Sequence, residues 1–197
     1  MKKLLLTLFI LSLSLTSLYA NESAVKQTII RDIKLSAECK FTEALQYYTK
    51  DTVSIDIDQN RKLYYKDMLL MAKAMDGKHP EEFIIMVYNA RHMKDPDPNE
   101  EKTLREYART EQFRIAYPKL CGLMLPIMKK AGEIELKSIK FIKVEIKNNL
   151  ATVVAEYESP DVAKSALNVM VRKTTTAKLR KENGVWKFYE RTTKKRK

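Results

Sequence analysis

These residues predict an α+β fold, with helices first and then a curved antiparallel sheet holding them against one face. Three observations carry that prediction. Val25, Ile29, Ile30 and Ile33 recur at helical spacing over a polar back. The last third of the chain alternates apolar and polar residues with period two. Asn148-Asn149 and Asn183-Gly184 interrupt that alternation as two-residue hairpin turns do, dividing it into a four-strand meander.

Taken in order, the chain opens on MKKLLLTLFILSLSLTSLYA. Lys2 and Lys3 precede an apolar run that closes on Leu18-Tyr19-Ala20, the form of an export signal. Residues 1–20 are therefore expected to be removed, leaving a periplasmic or secreted chain. Residues 24–36 form the first helix. Phe41 to Tyr48 reads as a second, short one. Thr52 to Asp58 alternates strictly, which places Val53, Ile55 and Ile57 on the buried face and Asp56 and Asp58 on the other. Arg61 to Tyr65 fits a short return strand. Lys66 to Asp76 fits a helix that Gly77 stops.

Residues 78–132 read as an apolar helical segment. Pro80 begins one helix, although Phe83 to Tyr88 is apolar nearly all round and also fits a buried strand. Asp97-Pro98-Asn99-Glu100 caps another helix, expected to end near Tyr117 because Pro118 follows. Leu120 to Met128 is a further apolar stretch, interrupted by Pro126.

The meander completes the domain. Ile146 should face Ala151, Val144 face Val153, and Ile142 face Ala155. Across the second turn, Leu179 should face Phe188, Lys181 face Trp186, and Ala177 face Glu190. Arg172, Lys178, Arg180, Lys187, Tyr189 and Arg191 then point away from the core. Residues 194–197 form a basic tail.

The charge is uneven. The chain carries +12, yet residues 170–197 hold eleven Lys or Arg against two Glu. That concentration suggests an anion-binding face of Arg172, Lys178, Arg180, Lys187 and Arg191, suited to anionic cell-envelope components. Export makes nucleic acid an unexpected partner. Arg180 and Lys187 fall opposite each other and need compensation from Glu156, Glu158 or an anionic partner. The two cysteines, Cys39 and Cys121, are expected to be bridged in an oxidising compartment, or else stay as two buried thiols. His79 and His92 lack metal-ligand spacing, four glycines leave no phosphate loop, and no cofactor or metal is expected.

The stretches 45-LQYYTKDTVSIDID-58, 62-KLYYKDMLLMAKAM-75, 141-FIKVEIKNNLATVVAEY-157 and 171-VRKTTTAKLRKENGVWKFYERT-192 resemble the nuclear-transport-factor-2-like (SnoaL-like) family. The resemblance implies a cone-shaped fold, with residues 78–132 as a helical insertion serving as lid or dimer surface. It implies either a binding module or an enzyme such as an isomerase, which puts a strand carboxylate near Asp56 as general base. Strand parity points the other way, giving the pocket position to Ile57. Glu190, placed on the core face, must be paired, protonated or lining a cavity. Tyr47, Tyr48, Tyr64, Thr175 and Trp186 complete the expected pocket. Its expected occupant is a small apolar ligand or a protein partner. The alternative is a cofactor-free enzyme using Asp56 or Glu190.

Overall fold

The computed structural model describes residues 21–91, 97–160 and 169–196. Residues 1–20, expected to be an export signal, and His92 and Lys197 lie outside the described residues. Among the described residues, six α-helices and six strands follow one another. Residues 21–37 form α1, Phe41–Ala44 form α2, and a 3-10 turn at Leu45–Tyr47 leads into β1 (Tyr48–Asp56). Then come β2 (Arg61–Tyr64), α3 (Tyr65–Met75), α4 (Pro80–Arg91), α5 (Pro98–Ala108) and α6 (Glu111–Ser138). The meander is β3 (Lys140–Lys147), β4 (Leu150–Pro160), β5 (Met170–Glu182) and β6 (Val185–Lys195).

All six strands share one unclosed sheet in the order β2-β1-β6-β5-β4-β3. The sheet is mixed, not purely antiparallel, because β1 runs parallel to β6. A parallel neighbour needs a long crossover, and everything from β2 through β5 supplies it. The fold class is α+β, with α1 and part of α6 against the sheet.

Local chemistry explains most boundaries. Asn183 and Gly184 take φ of 49° and 82°, and Asn148 takes 56°, the left-handed backbone that hairpin turns of this length use. Asp97 accepts the Asn99 N–H at 2.8 Å to cap α5. Thr110 caps α6 through the Phe113 N–H. That cap corrects the expected end near Tyr117: the break falls at residues 109–110, and α6 runs on through Pro118 and Pro126. Phe83 to Tyr88 is helical, within α4.

The apolar residues gather into two clusters. One holds Val25, Ile29 and Ile33 of α1 against Ala151, Val153, Ala177, Leu179, Trp186 and Phe188 of the sheet. The other holds Met75, Phe83, Phe113, Tyr117 and Cys121 among α3 to α6. Along α6, Met128 packs on the helical cluster and Leu136 on the sheet core; between them a Cβ on Gly132 would lie 2.6 Å from the Ala37 Cβ, so only glycine lets α6 cross the end of α1 this closely. On its outer side α6 exposes Ile115, Leu120, Leu123, Met124 and Ile127.

The expected disulfide is absent. Both thiols are free: the Cys39 Sγ–H donates to the Leu125 carbonyl at 3.6 Å, and the Cys121 Sγ–H donates to the Ala74 carbonyl at 3.8 Å. Each thiol is placed by a different helix packing, and burial raises the pKa of both above the ordinary thiol value.

Candidate functional site

Two β-bulges decide which side chains enter the interior. The expected register holds from the turn outward, with Lys181 opposite Trp186, Arg180 opposite Lys187 and Leu179 opposite Phe188. Tyr189 is then an extra residue, so Lys178 faces Glu190 and Ala177 faces Arg191. A one-residue slip exchanges the two faces of a strand. Glu190 therefore leaves the core face and meets the Lys178 Nζ at 2.9 Å on the outside. Arg191, expected outside, turns inward. In β3 the extra residue is Ile142, which is exposed, and Phe141 takes the expected place opposite Ala155.

Arg191 turns toward an acid on α1. Asp32 belongs to the same helical stripe as Val25, Ile29 and Ile33, and its side chain keeps only 4 % of its exposure. The Tyr48 hydroxyl donates to Asp32 Oδ2 at 2.9 Å. Arg191 Nη1 lies 3.4 Å from that same oxygen and 3.4 Å from the Tyr48 hydroxyl oxygen. The Tyr48 ring rests on Phe188, with centroids 4.9 Å apart. Burial raises the Asp32 pKa to about 6, against the opposing pull of Arg191 and the Tyr48 hydrogen bond. Burial likewise pushes the Tyr48 phenol well above its usual range. Burial works against the Arg191 charge, but Tyr48, Tyr157, Asp32 and Glu135 outweigh it and the guanidinium stays cationic.

Two spaces open on Asp32. A cavity of about 20 Å³ lies on the sheet side, bounded by Asp32, Ile139, Tyr157, Thr175, Phe188 and Arg191. It has room for a water molecule. On the other side is a cleft of about 170 Å³ between α1, α2, α3, β2 and α6. Phe41, Leu63, Met68, Met71, Met75 and Met128 form its walls, and Asp32, Ser36 and Tyr48 its polar end. Unbranched methionine side chains make such a wall adaptable in shape.

The remaining expected pocket residues are scattered. Thr175 borders the small cavity, where its hydroxyl is hydrogen-bonded with those of Tyr157 (3.2 Å) and Thr193 (2.9 Å). Tyr47 packs on the sheet core. Trp186 is buried in that core, with Nε1 unpartnered among the described residues, and it borders neither space. Tyr64 is 49 % exposed ahead of α3, where its backbone N–H donates to Asp67.

Ile57 does not take the pocket position; it lies beyond the end of β1 and is 54 % exposed. The parity expected of β1 is reversed. Ser54 and Asp56 stand opposite Arg191 and Thr193 in the parallel ladder, after an irregular stretch following Tyr48. There Thr49 and Thr52, both buried, hydrogen-bond to the Phe188 carbonyl. Asp56 uses Oδ1 to accept the Gln59 N–H in the β1–β2 turn.

The basic face is mostly paired. Arg180 holds Asp51 through two hydrogen bonds of 2.8 and 2.9 Å and reaches Glu182 at 2.7 Å. Asp51 and Glu182, not Glu156 or Glu158, compensate the Arg180–Lys187 pair; Lys187 lies 3.9 Å from Glu182. Glu156 binds Arg196, and Glu158 lies 3.7 Å from Arg172.

Asp32 and Arg191 were not singled out as partners from the residues alone. An acid on the apolar stripe of α1 was a visible signal, because a core-facing carboxylate demands a partner. Nothing local marks the bulge that delivers Arg191.

No protein-family model matches the chain, and no curated protein does. Solved structures resemble it in fold. One is an NTF-2 like protein of unknown function from Shewanella oneidensis, at 10 % identity, 87 % of this chain and 97 % of that one, and a TM-score of 0.46. A ketosteroid isomerase-like protein from Erwinia carotovora atroseptica shares 12 % identity over 89 % of this chain and 96 % of that one, with a TM-score of 0.46. An NTF2-like protein with a cystatin-like fold from Novosphingobium aromaticivorans shares 6 % identity over 92 % and 86 %, with a TM-score of 0.48. No activity passes from those proteins to this chain.

Proposed function

We propose that the protein is an exported binding module that holds a small apolar molecule in the methionine-lined cleft. The observation that supports this is the cleft itself: about 170 Å³, apolar along its walls and polar only where Asp32, Ser36 and Tyr48 meet. Binding sites for small molecules share this design, with an apolar body and a few convergent polar groups. The test uses the mature chain and the neutral apolar dye N-phenyl-1-naphthylamine. Its fluorescence should rise on binding and fall back in Met71→Trp, which fills the cleft. An equal signal from both proteins sinks the reading. Export is tested on cells: the periplasmic or secreted chain should begin at Asn21, and an intact Met1 terminus found in the cytoplasm overturns it.

A second reading has a specific observation behind it. Asp32, with a pKa near 6, can take and return a proton close to neutral pH, and Tyr48 stands beside it. A cofactor-free acid/base enzyme would use Asp32 in the role expected of Asp56 or Glu190. Turnover of a bound ligand that is lost in Tyr48→Phe would favour this reading over simple binding.

A further inference from the structure

The polar end of the cleft selects the head group of its occupant, an inference that rests on the cleft being the binding site. Asp32 Oδ2 already accepts from Tyr48 and Arg191. Asp32 Oδ1 accepts no hydrogen bond from any described residue, although the side chain is almost wholly buried. It is not among the enclosed polar atoms left without a partner, a set that holds only Trp186 Nε1 among the described residues, so it keeps some accessible surface and capacity for one more partner. Tyr48 has spent its proton on Asp32, and its oxygen already has Arg191 as a neighbour. Arg191 borders the small cavity behind Asp32 and does not border the cleft. A molecule entering between the methionines thus meets a hydrogen-bond acceptor at the polar end, and no cation lines the cleft; Arg61, whose Nη2 lies 3.8 Å from the Met71 sulfur, stands behind that wall and not among the lining residues.

We propose that the cleft takes an aliphatic molecule ending in a hydrogen-bond donor, an ammonium or a hydroxyl, which it presents to Asp32 Oδ1, and that it rejects the matching carboxylate. An ammonium makes a charge-assisted bond there, a hydroxyl an ordinary one, and a carboxylate meets like charge. This order runs against the charge of the whole protein. A chain of net charge +12 attracts anions at long range, so a preference for the cation has to come from the site.

The experiment is competition against bound N-phenyl-1-naphthylamine with decylamine, decanol and decanoate at pH 7.5. Decylamine should displace the dye at a concentration about tenfold or more below that of decanoate, with decanol between them. Lowering the pH to 5 should weaken decylamine much more than decanol as Asp32 takes up a proton. The other groups acting on Asp32 are Arg191, Tyr48 and Glu135. Asp32→Asn should bring decylamine and decanoate to within about twofold. If that variant fails to fold, the pH comparison on the unaltered protein still decides. Decanoate matching or beating decylamine, with the dye still displaced, overturns the donor rule and leaves the cleft standing. Failure of all three to displace the dye overturns both.

Discussion

Where α1 meets β4 to β6, the interior takes in an aspartate and most of an arginine, along with the buried hydroxyls of Thr28, Thr49, Thr52 and Thr175. Where α3 to α6 meet one another, no carboxylate, ammonium, guanidinium or imidazole is buried among the described residues. The helical cluster is held by aromatic and sulfur-bearing side chains. Phe83 and Tyr117 pack with centroids 5.3 Å apart, and the Tyr117 hydroxyl donates to the Ala74 carbonyl and accepts the His79 N–H. One region is thus sensitive to protonation and the other only to shape. The ionisable groups of the helical cluster are the Tyr117 phenol and the Cys121 thiol, and burial raises the pKa of both, so the cluster gains nothing from a change between pH 5 and 7.5, whereas a buried carboxylate ties stability to it.

The largest expected effect tests that contrast directly. Arg191→Met strips Asp32 of its cation and should cost about 3 kcal/mol or more at pH 7.5. Phe113→Ala should cost a comparable amount, about 3 to 5 kcal/mol, by opening a cavity in the helical cluster. The two should part company with pH. The folded-state pKa of Asp32, about 6, lies above the ordinary value of 3.8. Its contribution to stability is therefore fully present below about pH 4 and is lost as pH rises through 6. Removing Arg191, which lowers the Asp32 pKa, moves that loss to higher pH, so the variant's deficit shrinks toward pH 5. The Phe113→Ala deficit should stay flat. Urea melts of all three proteins at pH 5 and 7.5 measure this, and parallel behaviour of the two variants would erase the distinction.

The seam between the regions comes next in size. Gly132→Ala drives a methyl into Ala37, including its backbone, and should cost about 1 to 3 kcal/mol. Gly122→Ala, in the same helix with open space around it, should instead stabilise by up to about 1 kcal/mol. Opposite signs in thermal melts locate the contact, and equal signs would mean that α1 and α6 do not cross there.

The smallest effect lies at the end of α1. Cys39 occupies the left-handed backbone at φ 59°, in the helix-ending position where glycine is favoured, and the Lys40 N–H returns to the Leu35 carbonyl. Cys39→Gly should stabilise by less than about 1 kcal/mol, because it relieves the strain but gives up the weak bond to Leu125. A clear loss of stability would show that the thiol contact outweighs the backbone.

Much of this was legible in advance, and the pattern of successes follows from range. Hairpin turns, helix caps and the alternation of the meander depend on neighbours a few residues apart, so Asn183-Gly184 and Asp97 announce their roles locally. The misplaced residues all depended on distant partners. Pro118 suggested a helix end and Pro126 an interruption, yet α6 continues through both, with Tyr117 and Cys121 buried against its neighbours. Cys39 and Cys121 suggested a bridge until helix packing set each against a different carbonyl. Ile57 and Glu190 were assigned by counting alternate residues along strands, and that count fails at any irregularity.

From its residues alone the chain declared an α+β domain, a meander with two identifiable turns, and a stripe of Val25, Ile29 and Ile33 that must cover it. Those features follow from local backbone preference and from apolar periodicity. Which charged group would stand inside was settled only when the strands paired: the extra residue at Tyr189 turned Glu190 out and Arg191 in, opposite Asp32 and Tyr48. The face a strand residue occupies is a property of the ladder, and the ladder exists only once segments far apart in the chain have come together.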